Sequence, residues 1–215
     1  PDAVKNITLI KGGIPAEYGG RLSSILDVRM RDGSLKKFGA EGGIGLLFSR
    51  LTLEAPIIKD KGSILIAGRR SYADILAKPF LPTNLEGAKF YFYDLTGTAN
   101  YQISKKDKIY YSGYFGRDVF GSGFFFNYGN ATSTLRWNHI YNDKLFSNVT
   151  AYYSKYDYSI GIDQEGSDSF KWSSAIENFS IKPEFIYYAN SKNTITIGFQ
   201  SIYYDFNPAT SAFTS

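Results

Sequence analysis

Lys89-Phe90-Tyr91-Phe92-Tyr93-Asp94-Leu95-Thr96-Gly97-Thr98-Ala99-Asn100-Tyr101-Gln102-Ile103 alternates in character at every step. Tyr91, Tyr93, Leu95, Gly97, Ala99, Tyr101 and Ile103 fall on one side. Phe92, Asp94, Thr96, Thr98, Asn100 and Gln102 fall on the other. A period of two sustained this far reads as a β-strand with one apolar and one mostly polar face.

The same period continues outward along the chain. Lys108 to Val119 puts Ile109, Tyr111, Phe115 and Val119 on one side, and Leu145 to Ile160 groups Leu145, Val149, Ala151 and Tyr153. Phe179, Ile181, Phe185 and Tyr187 share a face, as do Ile195, Ile197, Phe199 and Tyr203. These segments run about 11 to 17 residues, whereas a globular strand has about 5–6 and a tilted bilayer-crossing strand about 9–11. Such lengths favour a membrane barrel over a soluble sandwich.

The breaks between segments alternate in size. Ile58–Gly62, Ser104–Asp107, Asn142-Asp143 and Asn190–Asn193 are short and polar; Asp74–Ala88, Gly121–Gly129, Gly161–Lys171 and the stretch from Asn207 onward are longer. Short turns on one side and long loops on the other mark an outer-membrane barrel, with the short turns periplasmic. Phe38–Ile57 is too long for one strand, and dividing it near Gly45-Leu46 keeps the tight turns together. The count is then about nine strands. Pro183 interrupts a good strand pattern and predicts a local bulge.

Aromatic residues lie near both sets of breaks. Tyr101, Tyr111, Trp137, Tyr141 and Tyr187 are near short turns; Tyr72, Tyr91, Phe115, Tyr158 and Trp172 are near long loops. Two interfacial girdles have this distribution, although tyrosine is enriched in strands of any kind.

Composition agrees. The chain of 215 residues is 43% hydrophobic and 17% aromatic, with Tyr 18, Phe 17, Met 1 and Cys 0. Its mean hydropathy of -0.23 is that of a soluble protein, but barrel strands alternate and average to neutral. Without cysteine there is no disulfide framework and no thiolate metal site. The net charge of +4 is spread along the chain rather than gathered in a nucleic-acid footprint. The sequence contains no apolar run long enough for a membrane helix. Pro1 in place of Met and the polar, turn-like run ending at Ser215 read as cut ends, so a piece of a longer protein is expected.

Catalytic and metal chemistry find no support. The single histidine, His139, lies between Trp137 and Tyr141 and reads as a structural interface residue. One strand-borne histidine does not make a triad, and no Asp or Glu stands near it at ligand spacing. Gly39-Ala40-Glu41-Gly42-Gly43 lacks the lysine and helix of a phosphate loop. No enzyme activity, cofactor or metal is expected.

Residues 1–34 read differently. A short strand, Ile7-Thr8-Leu9-Ile10, leads into Lys11-Gly12-Gly13-Ile14-Pro15-Ala16-Glu17-Tyr18-Gly19-Gly20-Arg21, then Leu22-Ser23-Ser24-Ile25-Leu26-Asp27-Val28-Arg29-Met30-Arg31-Asp32-Gly33. This closely resembles the C-terminal end of the plug domain of TonB-dependent outer-membrane transporters, most of all receptors of the Bacteroidota such as the SusC/RagA-like group. Ser49-Arg50-Leu51-Thr52-Leu53-Glu54-Ala55-Pro56-Ile57, Lys59–Ser63 and Gly68-Arg69-Arg70-Ser71-Tyr72 resemble that family's opening barrel hairpins. Ala55 stands where the family often has glycine. The specific likeness covers roughly the first 75 residues, and the rest is likeness of architecture only.

The resemblance implies residues 1–34 as the end of a plug and 35–215 as the N-terminal part of an antiparallel barrel of about 22 strands. It implies an outer-membrane location, import of a nutrient (glycan, siderophore, cobalamin or peptide), and energy from a TonB–ExbB–ExbD complex. A SusD-like surface lipoprotein and outer-membrane lipid are further implied partners. Gly12, Gly13, Tyr18, Gly19, Gly20 and Arg21 form the plug signature. Arg69 and Asp94 are candidate lumen charges, and Arg21, Arg29 and Arg31 are candidates to pair with Glu41 or Asp94. Phe124, Phe125, Phe126 and Tyr128 are expected at an extracellular loop tip, touching ligand, a partner or neighbouring loops. Pro79–Leu85 is a second apolar loop of this kind. The alternatives are a non-importing barrel subunit of a larger envelope or secretion complex, and a soluble all-β carbohydrate-binding protein.

Overall fold

The computed structural model describes residues 3–19, 23–80, 88–162 and 169–214. Its strands form two antiparallel sheets. Strands β1 (Val4–Ile10) and β2 (Ile25–Met30) pair with each other alone. The second sheet runs in sequence order from β3 (Gly39–Ile44) through β4 (Phe48–Ile58), β5 (Gly62–Ser71), β6 (Lys89–Gln102), β7 (Asp107–Ser122), β8 (Phe124–Asn142) and β9 (Leu145–Ile162) to β10 (Ser169–Asn190). Both β11 (Asn193–Gly198) and β12 (Ser201–Thr214) lie on β10. From β3 to β11 each strand pairs with its sequence neighbour, the up-and-down connectivity of an all-β barrel wall.

The division of Phe38–Ile57 holds, because β3 and β4 pair across a turn at Gly45, whose amide donates to the Phe48 carbonyl at 2.9 Å. The count of about nine holds as well, since β11 and β12 act as one strand interrupted beside Pro183. No bulge forms there. Pro183 stays in register with Val149 of β9, and Phe199 still donates to the Pro183 carbonyl at 3.2 Å. The proline cannot return that bond, so pairing lapses for Phe199 and Gln200 and then resumes in the same register.

Three short breaks are closed by their own side chains. Ser104 Oγ accepts from the amides of Lys106 and Asp107, Asn142 Oδ1 from Lys144 and Leu145, and Asn190 Oδ1 from Lys192 and Asn193. These turns satisfy backbone donors locally and fix the register. Two of the expected long loops are corrected. Only Gly123, at φ 73°, separates β7 from β8, and the stretch from Asn207 is paired strand as far as Thr214. Between β5 and β6, helix α1 (Ala73–Ala77) and a 3-10 turn at Lys78–Phe80 replace the start of the expected apolar loop. The remainder of Pro79–Leu85 lies outside the described residues.

Burial is the reverse of that in a water-soluble sheet. Thr96, Thr98 and Asn100 of β6 are buried, while Leu95 just before them in sequence is 53% exposed. The buried row is the one on which β1 and β2 rest. The Thr98 hydroxyl donates to the Arg31 carbonyl at 2.9 Å, and Asn100 Nδ2 donates to Asp32 Oδ1 at 3.0 Å and to Ser63 Oγ at 2.8 Å. Ala3, Leu65 and Ala67, with Met30 against them, form a small apolar patch in this seat. The opposite face carries Leu51, Leu53, Ile66, Leu95, Tyr111, Leu135, Trp137, Phe179 and Ile181, all exposed. An apolar face of this extent has to be covered by something other than water.

Gly33 fits the seat through lack of a side chain, since a Cβ there would overlap the Ile64 carbonyl. Gly33→Ala is therefore expected to lift the 31–35 segment from β5 and to destabilise the assembly by about 1–3 kcal/mol. The temperature at which the folded protein converts to its unfolded gel band would report the loss.

Candidate functional site

Strand register assigns every side chain to a face. The residues opposite Thr98 are Leu65 on β5 and Ser112 on β7, and the row continues through Thr134 and Tyr152 to Ser180. This inner face, on which β1 and β2 sit, has two regions.

Toward the short turns, a cleft of about 740 Å³ separates β2 and the Glu17-Tyr18 segment from the wall. Hydroxyl and amide groups of Ser112, Thr134, Asn138, Asn148 and Thr150 line its wall side. Asn138 Nδ2 donates to Asn148 Oδ1 at 2.5 Å, and Asn148 Nδ2 to Glu184 Oε1 at 3.3 Å. Lys182 reaches across, with Nζ 3.8 Å from Glu17 Oε2 and 5.1 Å from the centre of the Tyr18 ring. Burial, and then the Glu17 carboxylate, raise the Tyr18 phenol above its ordinary pKa. Arg31 Nη2 lies 3.6 Å from Glu54 Oε2.

Toward the other ends of the strands the inner face turns aromatic. Phe90 and Phe120 meet edge to face at 4.8 Å, Phe126 and Tyr128 lie 5.5 Å apart, and Tyr204 and Phe206 stack at 5.7 Å. Between the two regions Arg69 donates through Nε and Nη2 to Asp94 Oδ2 at 2.8 and 2.6 Å. Its guanidinium lies 4.9 Å from the Phe92 ring centre and 5.9 Å from that of Phe48. Arg69 and Asp94 are directly opposite on β5 and β6, so register alone brings them together.

The remaining expected residues fall as follows. Gly12 and Gly13 lie in the loop after β1, with Gly13 in the left-handed region at φ 58°. Tyr18 and Gly19 follow a turn closed by the Tyr18 amide on the Pro15 carbonyl at 3.0 Å, while Gly20 and Arg21 lie outside the described residues. Neither Arg29 nor Arg31 takes the acid expected of it: Arg29 meets Asp27 in its own strand, Arg31 meets Glu54, and Glu41 meets Arg50. Phe124, Phe125, Phe126 and Tyr128 belong to β8 and not to a loop tip. Alternation divides them, so that Phe126 and Tyr128 share the inner face with Phe120 and Asp118 while Phe125 packs over Gly121 and Gly161.

Two girdle residues are also corrected. Tyr158 pairs with Tyr128, and Trp172 with Ile160, which puts both on the inner face. Distance from a break does not separate the inner wall from the outer face. The signal available was their parity within each strand. The girdle near the short turns does stand on the outer face, where His139 lies 5.5 Å from Trp137 and 4.5 Å from Tyr141. Asp107 Oδ1 binds His139 Nδ1 at 2.6 Å and accepts from Trp137 Nε1 at 3.1 Å. The Ser104 hydroxyl bonds to the carboxylate and not to the ring, so this group ties a turn to the girdle. Among the described residues no cluster of metal-ligating side chains occurs.

A solved structure described as "Copper transporter OprC" has a similar fold. Its TM-score is 0.72 at 12% identity, and the similarity covers 98% of this chain and 34% of that one. The chain has the fold of a β-barrel wall. It spans about a third of that structure's length, and at this identity the likeness is one of fold. No family model and no curated protein matches the chain.

Proposed function

We propose that the chain is part of a TonB-dependent outer-membrane transporter, with residues 1–34 the end of its plug and 35–215 the first strands of a barrel of about 22. The observation that supports this best is the inverted burial of β6. Its polar row lies under β1 and β2, and its apolar row faces outward. A lipid-facing barrel with a plug in its lumen requires both. The similar fold in a transporter of copper adds support at the level of architecture.

In this reading β4 to β10 cross the outer membrane with their short turns in the periplasm, and the plug end rests on the inner wall. The barrel stays rigid while the plug shifts under TonB, opening the cleft beneath it to a nutrient. The seat suits such a movement, since among the described residues few side-chain bonds hold it: Thr98 to the Arg31 carbonyl, Asn100 to Asp32, and the Arg31–Glu54 and Lys182–Glu17 pairs. A soluble carbohydrate-binding protein would need polar residues on both outer faces, contrary to the exposed row from Leu51 to Phe179.

Fractionation of cells making the full-length protein tests this. The expected result is a detergent-extracted outer-membrane protein well above 24.1 kDa whose gel band shifts on boiling, and whose substrate uptake stops when TonB is deleted. A water-soluble product with no shift would sink the barrel. A heat-modifiable barrel whose loss, like that of TonB, leaves nutrient uptake unchanged would favour the envelope-subunit alternative.

A further inference from the structure

We propose that the short-turn rim of the wall binds the headgroups of anionic phospholipids in the periplasmic leaflet; this rests on the transporter reading above, which puts these turns in the periplasm. Each short break carries exposed lysine: Lys59 and Lys61 between β4 and β5, Lys105 and Lys106 between β6 and β7, Lys144 between β8 and β9, and Lys192 between β10 and β11. Lys36 and Lys37, just before β3, are exposed at the same end, where the Asp60 amide donates to the Leu35 carbonyl at 3.0 Å. Backbone bonds from break to break hold the row in place. The carbonyls of Lys61, Lys106 and Lys144 accept from the amides of Gln102, Ile140 and Tyr188, each on the next strand, at 2.8, 2.9 and 2.8 Å.

Charge and polarity along this rim define the ligand. The acids in the same breaks are Asp60, Asp107 and Asp143, and Asp107 is already engaged by His139, Trp137 and Ser104. Cations therefore outnumber anions at this end. Toward the other ends of the strands, the outward-facing Arg117 and Lys155 are matched by Asp157 and Glu177 at 2.8 and 2.6 Å. Beside the lysines Phe38, Ile57, Ile103, Trp137, Tyr141 and Tyr187 are exposed. Ammonium groups at an edge, with apolar and aromatic side chains along its flank, match an amphiphile whose phosphate adjoins its acyl chains. Anionic headgroups attract clustered lysines that stand within a Debye length of the surface. A soluble acidic peptide would satisfy the lysines but leave the apolar flank in water. The girdle of this rim lies on the outer face, away from β1 and β2, so the plug does not cover it.

The test uses the full-length protein, purified from outer membranes in detergent and shown to shift on boiling. Its retention of fluorescent phosphatidylglycerol is measured against that of phosphatidylcholine with the same acyl chains. Phosphatidylglycerol is expected to bind more tightly, by on the order of tenfold or more, and the preference should shrink as salt rises. The Lys105→Gln/Lys106→Gln/Lys144→Gln variant should lose most of the preference. Ser104 and Asn142 still close its turns, so its band should shift on boiling like that of the parent. The triple change of the same lysines to arginine keeps the charge and should keep the preference, and Lys78→Gln in the 3-10 turn at the opposite end should leave it unchanged. Equal retention of the two lipids by the heat-modifiable protein overturns the proposal while the barrel reading stands. So does an undiminished preference in the glutamine variant, or an equal loss in the arginine variant. A protein absent from the outer membrane overturns both.

Discussion

Leu135→Arg is expected to destabilise the barrel by about 2–4 kcal/mol and to deplete the protein from the outer membrane. Leu135 is exposed on the outer face, in one row with Tyr111 and Ala151. In water an exposed leucine away from special features changes to arginine within about 0.5 kcal/mol. In a bilayer the guanidinium has to leave water or drag it inward. The neighbouring change Thr134→Arg provides the contrast, because Thr134 faces the polar cleft and a cation there stays solvated. Quantifying the assembled, heat-modifiable band for both variants checks the face assignment directly. Equal assembly of the two would mean that the outer face does not meet lipid.

Asp94→Ala is the second large effect. The carboxylate is largely buried, and its removal leaves the Arg69 guanidinium between the Phe92 and Phe48 rings without an anion. Breaking one side of a buried pair loses about 3–5 kcal/mol, and about 3 is expected here because Arg69 keeps some contact with solvent. Replacing both partners, as Arg69→Met with Asp94→Leu, should recover much of that loss, since no buried charge is then left alone. The pair Arg117–Asp157, with oxygen and nitrogen 2.8 Å apart, lies on the opposite face and is about 30% exposed on each side. Asp157→Ala would leave the Arg117 guanidinium unpaired on that outer face, at a cost of about 0–1 kcal/mol near an interface and about 2–4 kcal/mol at the midplane. Denaturant unfolding of the three variants in detergent measures the difference.

Much of the wall was legible because strand parity repeats without interruption. The two faces of Lys89–Ile103 are the faces observed, and Arg69 opposite Asp94 follows once β5 and β6 pair. Local composition misled where pairing overrode it. Gly121-Ser122-Gly123 and Asn207-Pro208 have the residues of loops, yet long neighbours extend the ladder through both. Near Pro208 the irregularity is small, a register shift between Ser173 and Ala175 on β10. The Lys182–Glu17–Tyr18 group was beyond sequence reasoning, since it joins residues far apart in the chain through contact between two sheets. The partners of Arg29 and Arg31 were missed for the same reason.

Strand β10 has 22 residues, and at roughly 3.3 Å per residue and a tilt near 45° it rises about 50 Å along the barrel axis. A hydrocarbon layer occupies about 30 Å of that height. In an embedded barrel the remainder stands clear of the bilayer as hydrogen-bonded sheet. An antibody or a phage fibre arriving from the medium would therefore meet ordered ladder there. Its footprint would consist of side chains from several strands, taken at alternate positions. Such an epitope is conformational: it should vanish on boiling together with the folded gel band, and no linear peptide from β8, β9 or β10 should reproduce it.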